Sequence, residues 1–186
     1  MTSSINSSYF NLKKGGNILY PTDTVWGIGC DATNEKAVTN IFHIKKREES
    51  KSLVILVNNI EMLRQYVGEI PTRLIDILKN TTKPTTVIYK TPKGLAKNVI
   101  AKDNTVAIRI AQDKFCQKLI KKFGKPIVST SANISGRPTP STFKEIDHSI
   151  LGEVDYVVNL YQDKINDSPS KIIKIGRDGE LEVIRE

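Results

Sequence analysis

Short runs of β-branched and aliphatic residues recur along this 186-residue chain, at Asn17–Tyr20, Leu53–Val57, Thr86–Tyr89, Val106–Ile110, Pro126–Ser129, Tyr156–Asn159, Lys171–Ile175 and Leu181–Ile184. Turn-forming residues flank most of them, the pattern of strands. Between the runs the apolar spacing changes to that of helices. Over Asn34–Lys46 it places Ala37, Val38, Ile41, Phe42 and Ile44 largely on one face, with Asn34 as N-cap. Pro71–Asn80 begins with a proline whose missing N–H costs nothing at a helix start. Asp113–Phe123 stops before Gly124, a fitting residue just past a helix end. Strands and helices are interspersed without strict alternation, so the pattern predicts an α/β fold with a mixed sheet and helices packed against it. No repeat, low-complexity tract or compositional break divides the chain, which reads as a single domain over residues 1–186. The polar start, residues 1–8 above all, and Gln162–Pro169 read as mobile, being rich in Ser, Asn and Asp.

Composition narrows the function only a little. Lys and Arg outnumber Asp and Glu by 28 to 20, a net charge of +8 that suits anionic ligands such as nucleotides or RNA. Two cysteines, Cys30 and Cys116, and two histidines, His43 and His148, form no metal-ligand spacing, and the cysteines read as small core residues. No apolar run reaches the roughly 20 residues of a membrane span. The N-terminus lacks the basic-then-apolar pattern of a secretion signal, so the expected compartment is the cytoplasm, with no membrane partner.

Four segments can carry chemistry. Lys45, Lys46, Arg47 and Lys51 sit between the amphipathic helix and an apolar strand. They are either solvated charges at a helix end or cations converging on a triphosphate, for which the arginine fork and the mobile lysine charge are suited. The run Ser129-Thr130-Ser131-Ala132-Asn133-Ile134-Ser135-Gly136 follows a strand. It is either an ordinary turn or a loop whose amides and hydroxyls reach phosphate oxygens or a magnesium shell. No GxxxxGK[ST] and no GxGxxG occurs, so a nucleotide site here is of neither generic type. In Pro21-Thr22-Asp23-Thr24-Val25-Trp26-Gly27-Ile28-Gly29 the alternating glycines mark either a close approach of backbone to ligand or to other backbone, or an ordinary strand–turn–strand, while Trp26 reads as core. In Thr105-Val106-Ala107-Ile108-Arg109, alternation puts Thr105, Ala107 and Arg109 on one strand face. Arg109 is there either an edge-strand charge or a clamp for a carboxylate.

Taken in order, LYPTDTVWGIGCDA, KKREESKSLVILV, TVAIRI and STSANISGRPTPS resemble the YrdC-like family, over nearly the whole chain. Its characterised members are L-threonylcarbamoyladenylate synthases. The resemblance implies a twisted mixed sheet with flanking helices around a concave, positively charged cleft. It implies a nucleotidyltransferase that joins L-threonine, bicarbonate and ATP with magnesium, giving threonylcarbamoyl-AMP and pyrophosphate. A separate threonylcarbamoyl transferase then uses that product to modify tRNA. By the same resemblance Thr24, Arg109, Ser129 and Ser170 hold L-threonine. Arg47, Lys51, Thr105, Ser131, Asn133, Thr139 and Arg185 contact ATP, and Lys45, Arg47 and Lys51 serve catalysis, Lys45 and Asn133 by supporting the phosphates and magnesium. A non-catalytic paralogue binding tRNA or double-stranded RNA is the alternative the family offers.

The chain departs from the family pattern at Thr82–Thr86 and at Pro169–Lys174. Its end at Glu186 implies that the C-terminal domain and linker of longer members are missing.

Overall fold

All eight runs become strands, within a residue or two at their ends, in a computed structural model that describes residues 1–48, 53–165, 168–176 and 180–186. In chain order the elements are α1 (Thr2–Lys13), β1 (Ile18–Tyr20), β2 (Gly27–Gly29), α2 (Glu35–Ile44), β3 (Val54–Val57), α3 (Ile60–Val67), α4 (Thr72–Asn80) and β4 (Thr85–Lys90). There follow β5 (Thr105–Ile110), α5 (Lys114–Phe123), β6 (Ile127–Ser131), α6 (His148–Glu153), β7 (Tyr156–Val157), β8 (Lys171–Ile175) and β9 (Leu181–Arg185). Among the described residues the strands form one nine-stranded sheet in the order β7-β1-β2-β6-β3-β5-β4-β8-β9. The pairs β7–β1, β3–β5 and β4–β8 are parallel and the other five antiparallel, the mixed sheet that the interspersed pattern predicts.

The predicted caps at Asn34 and Gly124 are present, and Asp113 adds one that sequence reasoning did not name. Asn34 accepts from the Ala37 amide at 3.2 Å, and Asp113 accepts from Phe115 and Cys116 at 2.8 and 3.0 Å. Gly124 takes the left-handed conformation at φ 75°, ending α5.

Four elements escape the sequence pattern: α1, β2, α3 and the six-residue α6. The polar start that reads as mobile is helix α1. It escapes because serines take buried positions, with Ser4 and Ser8 joining Ile5 and Leu12 on the inner face. The helix packs on α5, and the Lys122 ammonium lies 5.2 Å from the centre of the Tyr9 ring. Strand β2 is Gly-Ile-Gly, whose glycines carry no strand preference. A Cβ on Gly29 would stand 2.4 Å from the Val128 carbonyl oxygen and 2.7 Å from Tyr20 Cε1, so only glycine lets β1, β2 and β6 close up. Helix α3 is short, but Asn59 caps it by accepting from the Met62 amide at 2.8 Å.

Register divides the central strands into two faces. Val87, Ile108, Ile55 and Val128 stand level on one, all buried, with α3 and α5 packed against β3. Thr86, Arg109, Val54 and Ser129 lie on the other. The sheet therefore builds the core with one side and presents polar groups with the other. Cys30, Cys116 and Trp26 are buried, Trp26 against Phe143 at 5.0 Å between ring centres. Among the described residues no helix is long and apolar enough to cross a membrane.

Candidate ligand cavity

The polar face opens into a cavity of about 640 Å³. Eight of the residues singled out from the sequence line it: Thr24, Arg47, Arg109, Ser129, Ser131, Thr139, Ser170 and Arg185. They come from six separate stretches of chain. Its described lining holds three arginines and no carboxylate, which favours anionic ligands.

Arg109 sits at its base. Strand β5 lies between β3 and β4, so Arg109 is not an edge-strand charge, and its side chain is only 5% exposed. Nη2 lies 2.9 Å from Asp23 Oδ1, at ion-pair distance but not aligned as a hydrogen bond, and it donates to Thr24 Oγ1 at 3.2 Å. Nε is buried without a hydrogen-bond partner among the described residues. Thr24 is fixed by its neighbour. Thr22 Oγ1 donates to the Val25 carbonyl at 2.7 Å and accepts from the Thr24 amide at 3.0 Å. Its single proton being spent, the 3.0 Å contact between the two hydroxyls must be donated by Thr24. The Thr24 oxygen therefore turns its lone pairs to Arg109.

Across the cavity, the Ser170 hydroxyl lies 2.8 Å from that of Thr86, which pairs with Arg109 in the sheet. Arg185 donates to the Ser170 carbonyl from Nε and Nη2, at 3.0 and 2.8 Å. A neutral acceptor leaves the arginine its full charge.

The basic segment after α2 divides residue by residue. Lys46 adopts φ 49°, and the amides of Lys46 and Arg47 return to the carbonyls of His43 and Phe42, both at 2.9 Å. This is the Schellman closure of a helix, made with lysine where glycine is usual. It leaves Lys46 exposed and sends the half-buried Arg47 to the cavity wall. Burial lowers the Arg47 pKa. Lys45 points the other way, inward, and is 1% exposed. Its ammonium donates to the main-chain carbonyls of Ser131 and Asn133, the latter at 2.6 Å, and its own carbonyl accepts from the Ser135 amide at 2.8 Å. Burial first, and the charge of Arg47 second, bring its pKa down to about 7. Lys45 is thus neither a solvated charge nor a wall of the cavity. It is the tie that shapes the hydroxyl loop.

The other candidates stand apart. Asn133 lines a neighbouring cavity of about 270 Å³, to which Thr139 also belongs, and its amide donates to the carbonyls of Ile134 and Arg137 at 3.1 and 2.8 Å. Thr105 begins β5, two residues before Ala107, which pairs with Val54 at the start of β3. It bonds Asp103 at 2.7 Å and does not line the cavity. Lys51 lies outside the described residues, as do residues 166 and 167 of the segment that reads as mobile. Sequence reasoning missed Asp23 and Thr86, although Asp23 lies inside the quoted PTDT segment.

Comparison with known proteins gives this arrangement a family. The chain belongs to the Sua5, YciO and YrdC family, described as telomere recombination, whose model matches residues 11–186. A relative from Methanocaldococcus jannaschii is 38% identical over 174 residues, covering 92% of this chain and 80% of its own. A protein of Xanthomonas euvesicatoria named threonylcarbamoyl-AMP synthase is 32% identical over 161 residues, 85% of this chain and 86% of its own. Among solved structures, E. coli YciO superposes with a TM-score of 0.85 at 25% identity, covering all of this chain and 90% of YciO. P. abyssi Sua5 complexed with L-threonine superposes equally well, at 0.85 and 25% identity over 97% of this chain. This chain spans 53% of that Sua5, about half its length. Such relatives make the chain one of an enzyme family.

Proposed function

We propose that the chain is an L-threonylcarbamoyladenylate synthase, a nucleotidyltransferase acting on L-threonine, bicarbonate and ATP. The observation that carries this reading is a buried arginine, Arg109, beside a threonine hydroxyl in the same cavity wall as Arg47, Ser131 and Arg185. One cavity then takes an amino-acid carboxylate at one end and a polyphosphate at the other. A related Sua5 has been crystallised with L-threonine, and related proteins bear the synthase name.

In this reading Arg109, aimed by the Thr24 oxygen, holds the carboxylate of L-threonine, with Ser129 and Ser170 flanking the amino acid. That leaves the amine free to attack the carbon of bicarbonate, with loss of water, to form a carbamate. A carbamate oxygen attacks the α-phosphorus of ATP, and the bond to pyrophosphate breaks. Arg47 and Arg185, with Lys51, stabilise the charge that develops on the departing group. Magnesium enters with the phosphates of ATP; among the described residues no group of three or more His, Cys, Asp or Glu could hold a metal ion. Catalysis is then largely the positioning of three substrates, which needs no nucleophile on the protein. The product serves a separate transferase that modifies tRNA, and the enzyme works in the cytoplasm.

The test is to supply ¹³C-bicarbonate with ATP, magnesium and L-threonine and to weigh the product. Threonylcarbamoyl-AMP carrying one heavy carbon supports the reading. An RNA-binding paralogue would give no such mass and would instead bind tRNA with a steep salt dependence.

A further inference from the structure

Asp23 has no place in the reading above, yet it touches Arg109 at the base of the cavity. Its side chain is 7% exposed and it is absent from the described cavity lining, so it stands behind Arg109 rather than beside a ligand. One oxygen is 2.9 Å from Arg109 Nη2. The other accepts from the Gln112 main-chain amide at 3.1 Å, which anchors the carboxylate to the chain just after β5. Thr24 approaches the same Nη2 at 3.2 Å. The guanidinium is thus held at one nitrogen by two groups of the same PTDT turn, and its buried Nε has no hydrogen-bond partner among the described residues.

A buried arginine without an anion is costly, and it relieves that cost by moving toward whatever anion or water it can reach. An arginine pinned at one nitrogen keeps its other N–H groups on a fixed aim. We propose that Asp23 is the positioning residue for Arg109: it carries the compensating charge while the cavity is empty and holds the guanidinium in the pose that receives an α-carboxylate. This rests on the amino-acid substrate proposed above. It also explains why an amino acid rather than a phosphate would settle at this end. With Asp23 the pair is neutral overall, which suits a zwitterion, whereas the arginine-lined wall beyond it suits the polyphosphate.

The experiment is calorimetric titration of L-threonine, and separately of ATP, into wild type, Asp23→Ala and Asp23→Asn, each checked for folding by its melting curve. Asp23→Ala is expected to weaken L-threonine at least about tenfold while ATP stays within about twofold. Formate, small enough to enter the gap, should recover part of the loss in Asp23→Ala and give no gain in wild type. Asp23→Asn keeps an oxygen without the charge, should fall between the two, and serves if the alanine variant does not fold. Unchanged threonine affinity in both variants, or a parallel loss of ATP, would overturn the inference and leave the synthase reading standing. Failure of the wild-type protein to bind L-threonine would overturn both.

Discussion

The Lys45 ammonium donates to the main-chain carbonyl of Asn133, 88 residues further on, at 2.6 Å. With the Ser131 carbonyl also on that ammonium, the basic segment and the hydroxyl loop form one unit rather than two motifs that happen to face a ligand. Lys45→Met keeps the apolar stem and strands two carbonyls. It should cost about 1–3 kcal/mol per carbonyl left unpaired, offset in part because no ammonium need be buried. The variant should melt several degrees lower and show a raised KM for ATP. Urea unfolding and steady-state kinetics check both.

Lys45 also gives stability a pH dependence. Burial brings its pKa to about 7 in the folded protein, while the unfolded chain keeps the ordinary value of 10.5. Between those values the unfolded state binds more protons, so stability should rise with pH, by at most about 1.4 kcal/mol per unit. Below about pH 7 the contribution is flat. A neutral amine still has two N–H groups for the two carbonyls, so the tie survives deprotonation. Urea unfolding at pH 6.5 and pH 9 should show a larger gain for wild type than for Lys45→Met; equal gains would refute the assignment.

Arg109→Ala should raise the KM for L-threonine by a hundredfold or more, about 3 kcal/mol of lost binding, with ATP affinity nearly unchanged. Arg109→Lys should recover little, because a point charge cannot hold Asp23, Thr24 and a carboxylate together. Competition binding with ATP and threonine distinguishes these outcomes from general damage.

Two backbone predictions concern stability alone. Lys46→Gly should stabilise the protein by about 0.5–1 kcal/mol, because lysine is held at φ 49°, where glycine is unstrained. Gly29→Ala should destabilise it by about 1–3 kcal/mol or more, its Cβ meeting the Val128 carbonyl and the Tyr20 ring. Thermal melts of the two variants should move in opposite directions.

Legibility in the sequence followed the range of the interactions. Strand alternation placed Arg109 on a polar face because that information is local. Only the sheet order makes β5 internal and Arg109 a buried residue, and strand order depends on distant pairing. The same holds for Lys45. Its burial depends on carbonyls 86 and 88 residues away, and main-chain acceptors leave no trace in side-chain identity. The helix α1 was hidden because Ser4 and Ser8 fill inner positions where the pattern expects apolar residues. Ser170 and Arg185 come together through the pairing of β8 with β9, which the two apolar runs announce without fixing their register.

The most direct test of the account is the rate of pyrophosphate release by the purified chain with ATP, magnesium and bicarbonate, measured with and without L-threonine. If carboxylate and polyphosphate share one cavity, release should depend on threonine and saturate with it, and Arg109→Ala should move that dependence to threonine concentrations about a hundredfold higher or more. Release at the same rate without threonine, or no release under any of these conditions, would contradict it.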